Sequence, residues 1–209
     1  MAAQDVKRVT VLGGGWSASQ LDLRKLPGFV IAVNDAAIYA PRVDAVVSMD
    51  RIWTERRFGS ISRFGKPVWL RRSTMKNVKA DGLEHVHLFD CDHTSTTLTD
   101  EPGCLNGTHS GFCALNLAYQ MRPAELYLVG FDMKRGPKNE AHWFPQYPWV
   151  EGHATGDKRL AEWGAQFDTA AQQLRAVGIS TWLCGSSSAV HAFGRISRAD
   201  LEATAQCAS

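Results

Sequence analysis

VKRVTVLGGGWS, residues 6–17, leads an apolar, β-rich run into three consecutive glycines, Gly13, Gly14 and Gly15, and then into Trp16 and Ser17. A strand that empties into glycines ahead of a helical turn opens a βαβ unit. The glycines let backbone come close to a ligand, and the amides that follow can face an anion. Gly13, Gly14, Gly15 and Ser17 are therefore candidate nucleotide contacts, the alternative being a tight turn with no ligand. Read through Ala18, the loop also matches G-x-G-x-x-A, with Asp35 about twenty residues on, where an acid can hold a ribose. Pro27 and Gly28 leave only residues 17–26 for the first crossover helix, which weakens an NAD(P)-dependent oxidoreductase to a secondary reading.

Working outward, six more runs of the same kind lie at residues 29–33, 45–48, 68–70, 85–89, 126–129 and 181–183. Helix-period segments separate several of them, most clearly at 110–121 and 158–177. In the second, Leu160, Ala161, Trp163, Phe167, Ala170, Ala171, Leu174 and Val177 recur near a 3.6 period, and Gly178 supplies the stop. Strands alternating with helices predict an α/β fold: a single Rossmann-like domain, residues 1–196, around a mainly parallel sheet of about seven strands. Residues 197–209 read as a tail or a short terminal helix.

Residues 134–156 break the pattern with four aromatics, three prolines and the histidines His142 and His153. So long a stretch without a period is either a functional lid or a disordered linker, and its aromatic content favours the lid.

Bulk properties narrow the classes. A chain of 209 residues, 44% hydrophobic and 21% charged, can bury a core without disulfide staples. Five cysteines, an odd number with no C-x-x-C pair, favour neither a disulfide framework nor a zinc ribbon and suit a reducing cytoplasm. No export signal and no membrane-spanning run is visible. The net charge is +2, but between Arg51 and Lys79 nine Lys or Arg residues stand against one acid, Glu55. That run is either a solvated face or a surface for phosphate, nucleic acid or another polyanion.

The remaining candidates fall where α/β sheets bind ligands, beyond the carboxyl ends of strands. Asn34 follows the second strand and can donate and accept. Thr108, Ser110 and Gly111 open the helix at 110–121, offering hydroxyls and free amides, or simply capping it. Ser186 and Ser187 follow the last strand as hydroxyl donors to a phosphate or as a helix cap. Asp132 closes the strand near 126–131, able to bind an acceptor, orient a lid histidine or cap a turn. Asp90 and Asp92 form a D-x-D that either holds a divalent cation or bends a loop.

In order, these pieces are G-G-G-W-S, V-N-D, N-G-T-H-S-G-F-C-A-L-N-L-A, Y-L-V-G-F-D, an aromatic and histidine loop, and C-G-S-S-S. The combination resembles the bacterial family 42 sialyltransferases and their phage-encoded homologues, and more distantly the 6-hydroxymethylpterin diphosphokinase-like proteins. The resemblance spans most of the chain. It implies a metal-independent, inverting glycosyltransferase that needs no cofactor and uses a nucleotide-sugar donor such as a CMP-sugar. By the same resemblance a lid histidine is the base: Gly152-His153 ahead of Asp157 fits best, His142 next, with Tyr147 on the leaving phosphate. Gly14-Gly15-Trp16-Ser17 departs from the family's Asn-bearing loop, and residues 51–79 match no acceptor region. A diphosphokinase-like enzyme using ATP and magnesium through Asp90 and Asp92, and a nucleotide- or polyanion-binding module without catalysis, remain as alternatives. The acceptor and any oligomeric state are not legible.

Overall fold

The structure, a computed structural model, describes residues 6–78, 82–147, 149, 155–185 and 188–206. Its strands are β1 (Arg8–Leu12), β2 (Phe29–Val33), β3 (Ala45–Ser48), β4 (Val68–Arg71), β5 (Val86–Phe89), β6 (Glu125–Val129), β7 (Ser180–Cys184) and β8 (Gly194–Ile196). Its helices are α1 (Ala36–Tyr39), α2 (Arg51–Ile61), α3 (Ser110–Gln120), α4 (Asp157–Ala176) and α5 (Arg198–Gln206). All the strands run parallel in one sheet of order β5-β4-β3-β2-β1-β6-β7-β8, a Rossmann-like α/β architecture.

A parallel sheet is covered on both faces, so its strands need apolar residues on both. On one face Val9, Val11, Ile31, Val33 and Val47 meet Phe112 and Leu115 of α3 and Phe167 and Leu174 of α4. On the other, Leu12, Val30, Ala32, Val46 and Tyr127 meet Trp53 and Ile61 of α2 and Leu201 of α5. Helix α3 crosses β1, β2 and β3 and is buried at every position from Ser110 to Tyr119, which is why its sequence is apolar all round. Helix α4 buries one stripe, Phe167, Ala170, Ala171 and Leu174, as its period requires.

The structure adds an eighth strand to the seven expected. Strand β8 is only Gly194-Arg195-Ile196, too short and too polar to show alternation, and Gly194 fits because a Cβ there would come within 2.8 Å of the Trp182 ring. The first crossover, short in sequence, is not an α-helix but two 3-10 turns, Trp16–Gln20 and Leu23–Lys25. The basic stretch between Arg51 and Lys79 is α2, β4 and a 3-10 turn. Within it Arg51 pairs with Glu55, Arg57 with Asp35 and Arg72 with Asp90, so three of its basic side chains meet an acid within the protein. Among the described residues no helix is long and apolar enough to cross a membrane.

The chain runs outward from β1 to β5, then returns to lay β6 on the other side of β1, so the topological switch point lies between β1 and β6. The two loops leaving these strands take up each other's hydrogen bonds. Gly13 N donates to Val129 O and Gly15 N to Gly130 O, both at 2.8 Å, and Ser17 N donates to Asp132 Oδ2 at 2.7 Å. A Cβ on Gly13 would stand 2.6 Å from Gly130 O, and one on Gly15 2.6 Å from Asp132 Oδ2. The close approach that these two glycines permit is to the protein's own backbone and to a carboxylate. Gly15→Ala should destabilise the fold by about 2–3 kcal/mol, because the atoms in the way are backbone and a buried acid with nowhere to move. A urea midpoint equal to that of the parent would show that the clamp yields.

Candidate functional site

Five buried side-chain atoms find no hydrogen-bond partner among the described residues: Ser17 Oγ, Asn34 Oδ1, His109 Nε2, Asp132 Oδ1 and His142 Nδ1. They belong to one end of the sheet. Ser17 follows β1, Asn34 follows β2, Asp132 follows β6, His109 precedes α3, and His142 lies over the glycine turn. An unpaired buried polar group costs about 1–3 kcal/mol. Each is a position whose bonding a ligand or ordered water can complete.

Asn34 sits at the end of β2 with φ +51°, a left-handed conformation that asparagine tolerates. Its neighbour Asp35, 1% exposed, accepts from Trp53 Nε1 at 2.7 Å and from Arg57 Nε at 2.9 Å, with a second bond from Arg57 to its other oxygen. The Asp35 carboxylate is thus engaged by α2, not held ready for a ribose. Arg57 also lies over the Trp149 ring at 4.9 Å, which fastens this residue of the aromatic-rich segment to α2.

That segment covers the glycine turn. Trp143 donates through its backbone N to Gly14 O and through Nε1 to Gly13 O, both at 3.0 Å. His142 packs so closely that a Cβ on Gly14 would stand 2.7 Å from Nδ1. Its ring stacks on Phe144 at 4.9 Å and meets Tyr147 edge-on at 5.4 Å. Burial lowers the His142 pKa, so the ring is neutral near pH 7, and burial raises that of Tyr147, keeping its hydroxyl protonated. An open cavity of about 520 Å³ lined by Arg135, Asn139, Glu140, Phe144 and Gln146 borders His142. The structure therefore brings His142 and Tyr147 to the glycine turn; His153, the preferred base, lies outside the described residues.

Asp132 is 3% exposed, with Oδ2 held by Ser17 N and Oδ1 open. The loop after β7 is tied beside it. Ala189 N donates to Asp132 O at 2.8 Å, Ser188 Oγ donates to Phe131 O at 2.7 Å, and Arg195 donates to the carbonyls of Gly185, Ser188 and Val190. Ser186 and Ser187 lie outside the described residues.

The third wall is the start of α3. Thr108 Oγ1 donates to Gln166 Oε1 at 2.6 Å, which binds the turn to α4, and Ser110 Oγ accepts from Met49 N at 3.0 Å. The amides of Phe112 and Cys113 return to His109 O, whereas those of Ser110 and Gly111 have no carbonyl within the helix. Gly111 is required by packing: a Cβ would meet Phe131 at 3.0 Å and the His109 ring at 3.1 Å. The irregular connection from β5 is held by Asn116, fully buried in mid-helix, whose Oδ1 accepts from Thr99 N and Asn106 N and whose Nδ2 donates to Thr99 O.

Asp90 pairs with Arg72, and Asp92 accepts from Thr94 N and Oγ1, which gives the two acids an ion pair and a turn. Among the described residues no three His, Cys, Asp or Glu side chains converge on a point where a cation could sit.

His109 is the site residue that the sequence reading passed over, although it stands inside the quoted N-G-T-H-S-G cluster. It packs against Trp163 at 4.7 Å and Phe167 at 5.9 Å, and burial pushes its pKa down to about 3. Between about 3 and the unfolded value of about 6.5, the unfolded chain binds a proton that the folded chain refuses, so stability falls as pH drops through that window. From pH 7 to pH 5 this group should remove about 2 kcal/mol of stability, a loss absent from His109→Phe. Urea unfolding of both proteins at the two pH values checks it; equal losses would remove His109 as the cause.

Fold and site together define a class: one parallel α/β sheet whose carboxyl edge, among the described residues, carries unpartnered buried polar atoms on the loops around its switch point. A particular solved structure has the same fold. The sialyltransferase CstII from Campylobacter jejuni, in complex with the substrate analogue CMP-3FNeuAc, matches 94% of this chain and 88% of its own with a TM-score of 0.57 and 14% sequence identity. At that identity the likeness is one of fold. No protein-family model matches the chain, and no curated protein matches it in sequence.

Proposed function

We propose that this protein is a metal-independent, inverting glycosyltransferase of the sialyltransferase-like type, which takes a CMP-linked sugar as donor. The observation that carries the reading is the set of five unpartnered buried atoms at the carboxyl edge of a fold shared with an enzyme that holds a CMP-sugar analogue. Two of those atoms, Asn34 Oδ1 and Asp132 Oδ1, can only accept, and His142 is held neutral by burial. Those acceptors suit hydrogen-bond donors, the hydroxyls of a ribose or the amino group of a base. The donor phosphate then belongs at the amides of Ser110 and Gly111, away from the Asp132 carboxylate, with the 186–187 hydroxyls and the Tyr147 hydroxyl as further contacts.

In this reading the acceptor hydroxyl attacks the anomeric carbon from the face opposite the phosphate. His153 takes its proton as the new C–O bond forms, and CMP leaves with the electrons of the broken one. His142 is the second candidate base; its neutral ring beside Gly14 is in the protonation state that the step needs.

Thermal unfolding with CMP, UDP, ATP and NAD, each with and without magnesium, tests the proposal. CMP alone should raise Tm by about 5–10 °C at a hundred-fold excess over its Kd. His153→Ala should keep that shift while turnover of the donor falls at least about 100-fold. A shift seen only with ATP plus magnesium, or only with NAD, would overturn the transferase in favour of a diphosphokinase-like enzyme or an oxidoreductase.

A further inference from the structure

Cys91, just beyond β5, and Cys113, in the first turns of α3, bring their sulfurs to 3.9 Å from one another. The contact adjoins the turn that leads into α3. Cys91 Sγ lies 3.5 Å and Cys113 Sγ 4.0 Å from Gly107 O, and Cys113 Sγ is 3.7 Å from Met49 Sδ. Met49 is the residue whose amide donates to Ser110 Oγ. Neither cysteine has a role in the transferase reading, and this inference does not depend on it.

We propose that Cys91 is a site of thiol oxidation whose product is an internal disulfide with Cys113, and that this bond resets the 107–111 turn at the mouth of α3. Three features support it. The sulfurs are already in van der Waals contact, so an S–S bond of about 2.05 Å needs them to close by roughly 1.9 Å. The partners differ as the chemistry requires: Cys91 is half-buried and reachable, Cys113 is enclosed. The hydrogen bond from Cys113, helped by the charge of Arg71, lowers the Cys91 pKa, while the same bond and burial push Cys113 up, so the thiolate forms on the accessible sulfur.

With hydrogen peroxide as oxidant the step balances. The Cys91 thiolate attacks one peroxide oxygen and the O–O bond breaks. That oxygen stays on sulfur as a sulfenic acid, and the other leaves as hydroxide and becomes water. Cys113 sulfur then attacks Cys91 sulfur, the S–O bond breaks, and the Cys113 proton leaves with the hydroxide as a second water. Two thiols are oxidised, and one peroxide is reduced to two waters.

Forming the bond removes both S–H donors, so Gly107 O loses the two thiol contacts it accepts. That turn has little slack, because Gly107 has φ +143° and a Cβ on it would strike the Phe112 ring at 2.8 Å. Cys104 and Cys184 serve as internal references. Cys104 is raised by burial and by neighbouring acids, and burial pushes Cys184 up to about 11.

The full-length protein is treated with excess hydrogen peroxide, alkylated, digested and mapped by mass spectrometry. The expected product is a peptide containing Cys91 linked to one containing Cys113, reversed by dithiothreitol, absent from Cys91→Ser and Cys113→Ser, and retained in Cys104→Ser. Hydrogen exchange on the same oxidised sample should change at the amides of residues 107–111. Cys91 remaining reduced, or passing to sulfinic acid without a link, overturns the proposal. A link that leaves exchange at 107–111 unaltered overturns its coupling to the turn.

Discussion

The carboxylate of Asp132 accepting the amide of Ser17 is the contact on which the rest of the site depends. It fastens the loop after β1 to the loop after β6 across the switch point, with the Gly13 and Gly15 amides bonded to Val129 and Gly130 as a continuation of the sheet. Once those loops are locked, His142 and Trp143 have a fixed surface to lie on and come to rest over Gly14. The loop after β7 is fastened to the same point through Ala189 and Asp132 O. Three strand ends thus share one anchor, and among the described residues one oxygen of its carboxylate has no partner.

A phosphate cradle collects donors, whereas here the amides of Gly13, Gly15 and Ser17 are already taken up, and two of the unpartnered atoms at the same edge of the sheet, Asn34 Oδ1 and Asp132 Oδ1, are acceptors. The burial that keeps His109 and His142 neutral serves the same arrangement, because a charged imidazole at either position would stand unpaired in a low-dielectric interior.

Much of the fold was legible because both faces of a parallel sheet are buried: the runs at 29–33 and 45–48 are the observed strands, and the others differ by one or two residues at their ends. Helix α4 was legible from its stripe and α3 from its turn signals. Strand β8 was not, since three residues with a glycine and an arginine carry no period. The glycine triplet was visible, but its purpose was not, because nothing local to residues 13–15 reveals that Gly130 and Asp132, more than a hundred positions away, occupy the space where side chains would be. For the same reason Asp35 read as a ribose contact until Trp53 and Arg57 were seen to surround it. Asn116 was not read as a buried clamp, although a polar residue inside an apolar helix is the local signal that could have found it. His153, Ser186 and Ser187 remain outside the described residues, so their roles rest on the resemblance and on the anchored segments beside them.

The strand order also bears on how the protein is made. Strand β1 leaves the ribosome first but belongs at the middle of the sheet, and its partner β6 is paired in register from Arg8 with Glu125. Strands β2 to β5 can assemble against one side of β1 as they emerge, while its other edge, Val9-Thr10-Val11-Leu12, keeps a row of unpaired backbone groups. At ordinary translation speeds of about 5–20 residues per second, that edge stays open for roughly 6–25 s before β6 is synthesised. During synthesis, one of the two central strands of the finished sheet is for a time an open template for wrong partners.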